Sequence, residues 1–202
     1  AMRRTKEESE LTRAAILNAA ERVFCEQGFA GATIDGISRA AGLTRGAFYW
    51  HFKDKDDLLA AVIERSFGAW LSAWQFPDEG SASERVVALS TQIAKALMDS
   101  PDFIRLGLML GLERRPVEPR ARAMFIQARD QAFAILVDGI GEIVPELDEA
   151  QRQQLAQYAL AGADGLFITK EISGDTVDLV ALFELHARAV YGLALTLISE
   201  SG

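Results

Sequence analysis

The chain has 202 residues, of which 50% are hydrophobic, so it can form a core in one or two domains and is not a disordered chain. Its formal net charge of −8 taken alone argues against a nucleic-acid partner. The charged N-terminus predicts no secretory signal, no apolar run approaches the ~20 residues that cross a bilayer, and the single cysteine, Cys25, can form no internal disulfide, so we expect a cytoplasmic protein without a membrane segment.

The negative charge is confined to one part of the chain. Residues 1–65 hold ten Lys/Arg and ten Asp/Glu, so the whole net charge lies in residues 66–202. Such asymmetry indicates that the two parts have different roles. The first part also gathers basic residues near two short segments: Arg3, Arg4, Lys6, Arg13, Arg39, Arg45, Lys53 and Lys55.

Helical periodicity extends along nearly the whole chain, without strand alternation. Three helices are predicted at 10–27, 34–40 and 45–51, with Gly28 ending the first. A long helix follows from about 54 to 74. Five more are predicted at about 83–98, 102–113, 118–143, 148–171 and 176–198, separated by stops at Ser100-Pro101, Arg115-Pro116 with Pro119, Val144-Pro145 and Ser173-Gly174-Asp175. The sequence therefore predicts an all-α, nine-helix, two-domain protein, with a three-helix helix-turn-helix domain over 9–55 and a helical bundle over 56–200.

The stretch GLTRGAFYWHF, residues 42–52, is unusual because its aromatic residues are contiguous and cannot all face one core. At about 100° per residue, Phe48 and Phe52 share one face of the third helix, whereas Gly46 and Trp50 point the opposite way, flanked by Ala47 and Tyr49. A tight turn at Gly42 joins this helix to the preceding one, which is the helix-turn-helix pattern. Spacing alone leaves two interpretations open: an outward DNA-binding face, or aromatics packed on a neighbouring helix.

The residue types on the outward face suit nucleic acid. Arg45, at the start of the third helix, can contact guanine in the major groove. Thr33 and Thr44, the predicted N-caps of the second and third helices, can offer hydroxyl and backbone N–H groups to phosphates. Donors suited to phosphate oxygens are also carried by Tyr49, His51 and Lys55.

The stretch TRAAILNAAERVFCEQGFAGATIDGISRAAGLTRGAFYWHFKDKDDLLAAVIE resembles the N-terminal domain of the tetracycline-repressor (TetR/AcrR) family. The matching elements are Gly28-Phe29, Thr33-Ile34, the run from Ile37 to Gly42, the run from Gly46 to Phe52 and the run from Lys55 to Leu59. The leading Arg3-Arg4-Thr5-Lys6-Glu7 is also similar to the multidrug-efflux repressor branch. The resemblance implies a third helix in the major groove of a palindromic operator. Bases would be met by Thr44, Arg45, Gly46, Ala47 and Trp50, and phosphates by Thr33, Tyr49, His51 and Lys55.

For the second domain the resemblance implies a small-molecule pocket and a dimer interface. Our pocket candidates are the large apolar residues Trp70, Trp74, Phe103, Met109 and Phe125; the alternative is that they are ordinary core. The last two helices carry small residues, and glycine inside a helix needs a reason such as close helix–helix approach. In this family two such helices from each subunit form a four-helix interface, for which we expect Gly162, Gly165, Ala189 and Gly192; the alternative is close packing within one subunit.

The resulting expectation is a homodimeric, ligand-responsive transcriptional regulator, a repressor released from a double-stranded operator by a small, largely apolar effector. Open alternatives are an activator, a regulator without ligand response, and a helical interaction module without DNA binding. We expect no enzyme, cofactor or metal: only two histidines exist, and Glu184-Leu185-His186 lacks the Glu-x-x-His spacing of a di-metal bundle.

Overall fold

The structure, a computed structural model, describes residues 5–112 and 120–200, and the regular secondary structure in these ranges is helical. These ranges contain nine α-helices and no strand, which confirms the predicted fold class. The basic residues Arg3 and Arg4, and the predicted stop at Arg115-Pro116 with Pro119, lie outside the described residues. The helices are α1 (Lys6–Gly31), α2 (Ile34–Ala40), α3 (Arg45–His51), α4 (Lys55–Ser72), α5 (Ala82–Asp99), α6 (Asp102–Leu112), α7 (Arg120–Ile143), α8 (Glu149–Ser173) and α9 (Leu179–Glu200), with one 3₁₀ turn at Gly174–Thr176.

Helix α1 is longer at both ends than its apolar periodicity predicts. It begins at Lys6 because Thr5 and Glu8 form a capping box, in which Glu8 N–H donates to the Thr5 hydroxyl at 3.2 Å and Thr5 N–H donates to the Glu8 carboxylate at 3.0 Å. Gly28 does break the helix, with φ 70°, but helical turns resume as far as Gly31. The predicted end at Gly28 is therefore a kink.

The chain divides into two compact units that do not follow the sequence order. The first unit comprises Ala1–Gly68 and Asp102–Ala128, and the second comprises Ala69–Pro101 and Arg129–Gly202. Helices α4 and α7 each contribute residues to both units. The expected boundary between a DNA-binding domain ending at residue 55 and a second domain beginning at residue 56 stays a prediction. The compact units are defined by packing and not by function.

The first unit places α1, α2 and α3 around a core of fully buried Phe24, Ile37 and Phe48. Helix α4 is held to α1 by polar contacts: Arg65 Nη2 donates to Glu21 at 2.6 Å, and the Ser66 hydroxyl donates to the same carboxylate at 3.0 Å. These contacts fix the second half of α4 against α1.

The second unit is built on α9, which packs against α5 and α8. Its apolar cluster consists of Ile143, Val144, Leu147, Leu155, Val190 and Ala194. An ion pair joins α7 to α8. Arg129 Nη1 and Nη2 donate to the two carboxylate oxygens of Asp164, at 2.9 and 2.6 Å. The pair supplies the partner that Asp164 needs among small apolar residues.

Helix α9 is, by length and composition alone, long and apolar enough to cross a membrane. The apolar runs of the sequence did not predict this, because Glu184, His186 and Arg188 interrupt them within α9. A core helix of a soluble protein passes the same test, so this is weak evidence for a membrane span. Only 22% of its most apolar stretch is buried within the chain, however, so much of α9 has an uncovered apolar surface.

Candidate functional site

The two faces of α3 differ as the periodicity predicts. Phe48 is fully buried and Phe52 is 3% exposed, with ring centroids 5.9 Å apart. On the other side, Trp50 is 78% exposed and Tyr49 is 47% exposed. The turn before α3 depends on Gly42, whose φ of 70° is a conformation that residues with a β-carbon rarely adopt. An apolar face therefore anchors α3 while an aromatic face is open to solvent.

The starts of α2 and α3 are capped by the two predicted threonines. The Thr33 hydroxyl accepts from Gly36 N–H at 3.0 Å, and the Thr44 hydroxyl accepts from Ala47 N–H at 3.2 Å. Both threonines are exposed, as is Gly46, while Ala47 is partly buried. Gly46 and Ala47 thus add little side-chain bulk to the first turn of α3, which permits close approach to a large partner.

Arg45 is held by two neighbours at the exposed surface. Its Nη2 donates to the Tyr49 hydroxyl at 3.3 Å, its Cζ lies 5.6 Å from the centroid of that ring, and its Nη1 lies 3.5 Å from Asp35 Oδ1. The hydrogen bond to Tyr49, followed by the charge of Asp35, raises the pKa of the Arg45 guanidinium. Arg45 is therefore a fully charged donor. Its ion pair with Asp35 was not predicted from the sequence.

Lys55 has internal contacts that the sequence did not predict. Its Nζ donates to the carbonyl oxygens of Phe29 at 2.5 Å and Ala32 at 2.9 Å, and lies 4.3 Å from the centroid of the Phe29 ring. Because these carbonyls terminate α1, Lys55 ties the start of α4 to the end of α1. His51, the other phosphate candidate nearby, is partly buried at the end of α3.

The pocket candidates fall into two groups, one in each compact unit. In the first unit, Phe103 and Phe125 are buried with ring centroids 5.9 Å apart, while Met109 is 52% exposed. Phe125 also fills the space beside Gly107, where a β-carbon would lie 1.9 Å from its ring. In the second unit, Trp70 and Trp74 pack edge to face at 4.6 Å. Within each unit these rings pack on one another, as core side chains also do, and their effector role stays a prediction.

A polar cleft between α1 and α6 was not predicted. It measures about 500 Å³ and is lined by Asn18, Glu21, Arg22, Cys25, Glu26, Asp102 and Arg105. Burial, together with the nearby charge and hydrogen bond of Asp102, raises the pKa of the Cys25 thiol to about 12. The charged lining differs from the apolar site expected for the effector, and Cys25 is protonated at neutral pH rather than a reactive thiolate.

The small residues of the last two helices have different surroundings. A β-carbon on Gly162 would lie 2.2 Å from the His186 ring, so Gly162 permits close packing of α8 on α9 within one chain. By contrast, nothing lies within 4 Å of a β-carbon added at Gly165 or Gly192, and Ala189 is exposed. These positions belong to two exposed stripes, which we call the α8/α9 stripes: Tyr158, Ala161, Gly165, Ile168 and Ile172 on α8, and Leu185, Ala189, Gly192 and Leu193 on α9.

One further contact was missed because it joins distant parts of the sequence. The Asp56 carboxylate accepts from the first two backbone N–H groups of α7, those of Arg120 at 2.8 Å and Ala121 at 3.4 Å. The Arg120 guanidinium also pairs with Asp57. Among residues 5–112 and 120–200, no three His, Cys, Asp or Glu side chains gather as metal ligands.

Comparison with known proteins places these features in a family. Residues 16–62, which contain α2 and α3, match the family model described as bacterial regulatory proteins, tetR family. The HTH-type transcriptional regulator AcrR of Shigella flexneri is 50% identical over 64 residues, which are 32% of this chain and 30% of that protein. The matched region thus covers less than a third of the length of this relative.

Two other similar proteins extend over most of the chain. The HTH-type transcriptional regulator BetI of Rhizobium meliloti is 30% identical over 182 residues, which are 88% of each protein. The structure of the transcriptional regulator FadR from Bacillus subtilis in complex with stearoyl-CoA is similar in fold, with a TM-score of 0.70, 20% identity and coverage of 88% of this chain and 96% of that chain. The chain belongs to the tetR family of bacterial regulatory proteins.

Proposed function

We propose that the protein is a transcriptional repressor that binds a palindromic operator as a homodimer and is released by a small, largely apolar effector. The observation that supports this most strongly is the solvent face of α3. It carries a charged guanidinium and exposed aromatic rings on a helix anchored from behind by Phe48 and Phe52. The relatives AcrR and BetI, which are named as transcriptional regulators, support a regulatory rather than an enzymatic role.

In this proposal the first turn of α3 enters the major groove. Arg45 donates to guanine, Ala47 offers an apolar contact to a thymine methyl, and Trp50 packs against base edges. Hydroxyl-bearing and basic side chains hold the DNA backbone and set the register of the helix. The assigned phosphate contacts are Thr33, Tyr49, His51 and Lys55.

The dimer is proposed to form through the α8/α9 stripes. Their exposed leucines and isoleucines, together with glycines that face open space, would be covered if two chains packed α8 and α9 as a four-helix interface. Contiguous apolar patches of this kind mark interaction sites on soluble proteins. A twofold dimer would present two copies of α3 to a palindrome, with half-sites about 34–36 Å, or one helical turn, apart.

Effector control is proposed to act by a population shift. The fold neighbour FadR holds stearoyl-CoA, and a compound with an apolar part like its acyl chain, bound near the pocket candidates, would favour one placement of α4 over another. That placement changes the separation of the two recognition helices. A ligand shifts such an equilibrium only through its differential affinity for the two states, so effector and operator must weaken each other by the same factor.

The direct test is selection of bound duplexes from a random library by the purified full chain at two salt concentrations. We expect enrichment of a palindrome and a steep loss of affinity as salt rises, because phosphate contacts release counterions. Salt-sensitive binding without an enriched sequence would contradict specific operator recognition. Absence of duplex binding would favour a helical interaction module.

The selected operator then allows the regulatory part to be tested. Stearoyl-CoA can be titrated onto the protein with and without operator. Equal affinity under both conditions would exclude this compound as an effector acting through the operator. In a reporter assay, transcription that rises rather than falls with protein would identify an activator.

A further inference from the structure

Asp35 and Arg45 form an ion pair across the turn that joins α2 to α3. We propose that Asp35 is a specificity-determining residue, which positions the Arg45 guanidinium for base reading; this rests on the proposed function, in which Arg45 contacts a base. Asp35 lies in the first turn of α2 and Arg45 is the first residue of α3. The turn at Gly42 is what brings these two helix starts together.

The contacts of Arg45 restrict its side chain from more than one direction. Asp35 holds Nη1 at 3.5 Å, while the Tyr49 hydroxyl accepts from Nη2 at 3.3 Å and the Tyr49 ring lies beneath the guanidinium. An arginine that reads a base must give up much of its rotamer freedom. Contacts that limit this freedom before binding reduce that loss and favour one orientation of the guanidinium over others.

Asp35 also carries a charge of the wrong sign for a DNA-facing surface. It lies two residues after Thr33, the α2 cap that we assign to a phosphate, so its carboxylate repels the DNA backbone. Its side chain is 57% exposed and that of Arg45 is 61% exposed, so the pair is weak enough to rearrange when DNA binds. The alternative role is local, because a carboxylate in the first turn of a helix also stabilises that helix.

The two roles make different predictions for Asp35→Asn. If Asp35 positions Arg45, the variant should bind a random duplex more tightly, by roughly two-fold at low salt, because one repulsive charge is removed. At the same time, its discrimination at the base that Arg45 reads should fall by up to about five-fold, the limit for an exposed ion pair. A purely helix-stabilising role predicts weaker binding to all duplexes alike, together with a lower melting temperature.

The experiment measures Kd for the selected operator, for single-base variants of it and for a random duplex, at two salt concentrations. Arg45→Ala first identifies the base position at which preference is lost. The matched control is Glu64→Gln, which makes the same charge change at an exposed position on α4 and should leave discrimination unchanged. Asp35→Glu is the second variant: it retains the charge but displaces the carboxylate, so discrimination should fall without tighter binding to random DNA.

A double-mutant cycle decides whether Asp35 acts through Arg45. In the Arg45→Ala background, Asp35→Asn should no longer change base discrimination, whereas it should still increase affinity for random DNA. Unchanged discrimination in Asp35→Asn, or an equal loss in both backgrounds, would overturn the proposal. If the wild-type chain prefers no sequence, the proposed function fails as well; if it prefers a palindrome and Asp35→Asn discriminates equally well, only the role of Asp35 is refuted.

Discussion

The His186 ring occupies the space in which a side chain at Gly162 would lie. A β-carbon at position 162 would come within 2.2 Å of His186 Cε1, and His186 Nε2 lies 2.9 Å from the carbonyl oxygen of Ala159, in the preceding turn of α8. The hydrogen bond fixes the ring against α8, so it cannot move aside without losing a partner. This packing accounts for Gly162 within a single chain and leaves the open glycines, Gly165 and Gly192, to be explained by something outside it.

Gly162→Ala should therefore destabilise the protein although alanine favours helix. Overpacking costs about 1–3 kcal/mol, against a gain of about 1 kcal/mol in helix propensity. Thermal unfolding followed by circular dichroism should show a lower midpoint. The control is Gly68→Ala in α4, where nothing lies within 4 Å of the added carbon and the midpoint should hold or rise. A Gly162→Ala protein as stable as wild type would refute the assigned packing.

Gly165→Arg should dissociate the proposed dimer without unfolding the chain. Space around the added side chain is open in one chain, but the arginine would stand in the middle of the α8 stripe and leave a charge in an apolar interface. Sedimentation velocity should show a monomer with unchanged helical content. Gln153→Arg, exposed on another face of α8, should remain dimeric. Dimers in both variants would exclude this interface.

Lys55→Ala should reduce both stability and DNA affinity. The variant loses two charge-assisted hydrogen bonds to the end of α1, each of a kind that contributes about 1.5–3 kcal/mol. Lys53→Ala is the comparison, because Lys53 is exposed and its loss should affect only DNA binding. Melting temperatures and the salt dependence of Kd separate the two effects. An unchanged melting temperature for Lys55→Ala would show that its carbonyl contacts contribute little.

Asp56→Ala should destabilise the start of α7. Its carboxylate accepts from two backbone N–H groups that have no partner inside the helix, and loss of such a cap costs about 0.5–2 kcal/mol. Asp56→Asn keeps one acceptor oxygen and should recover part of the stability. Hydrogen exchange at Arg120 and Ala121 reports the effect locally. Equal exchange in wild type and Asp56→Ala would remove this role.

Cys25 should resist alkylation in the folded protein. Its pKa rises from 9.0 to about 12, so the thiolate that reacts is scarce below that pH. Because the folded pKa lies above the unfolded one, the contribution of Cys25 to stability is complete below about pH 9 and is lost as pH rises towards 12. Iodoacetamide labelling across pH 7–11 should be slow until the chain unfolds. Burial is the main cause of the raised pKa and the charge of Asp102 adds to it, so Asp102→Asn should label faster.

The sequence by itself determined the local structure around the candidate DNA-binding face. Helix periodicity fixed which rings of α3 are buried, since Phe48 and Phe52 share one side and Trp50 lies on the other. Threonine hydroxyls predicted the caps of α2 and α3, and Gly42 predicted the turn between them, because these are properties of a few consecutive residues. The same local signals predicted most helix bounds.

Only the tertiary structure decided which distant side chains meet. Lys55 reaches carbonyls 23 and 26 residues away, and Arg129 reaches Asp164 across 35 residues. Gly162 and Gly165 are alike in sequence, yet one faces His186 and the other faces open space. Periodicity states which face of a helix is apolar but not which helix covers it, because that depends on the packing angle and register of elements far apart in the chain.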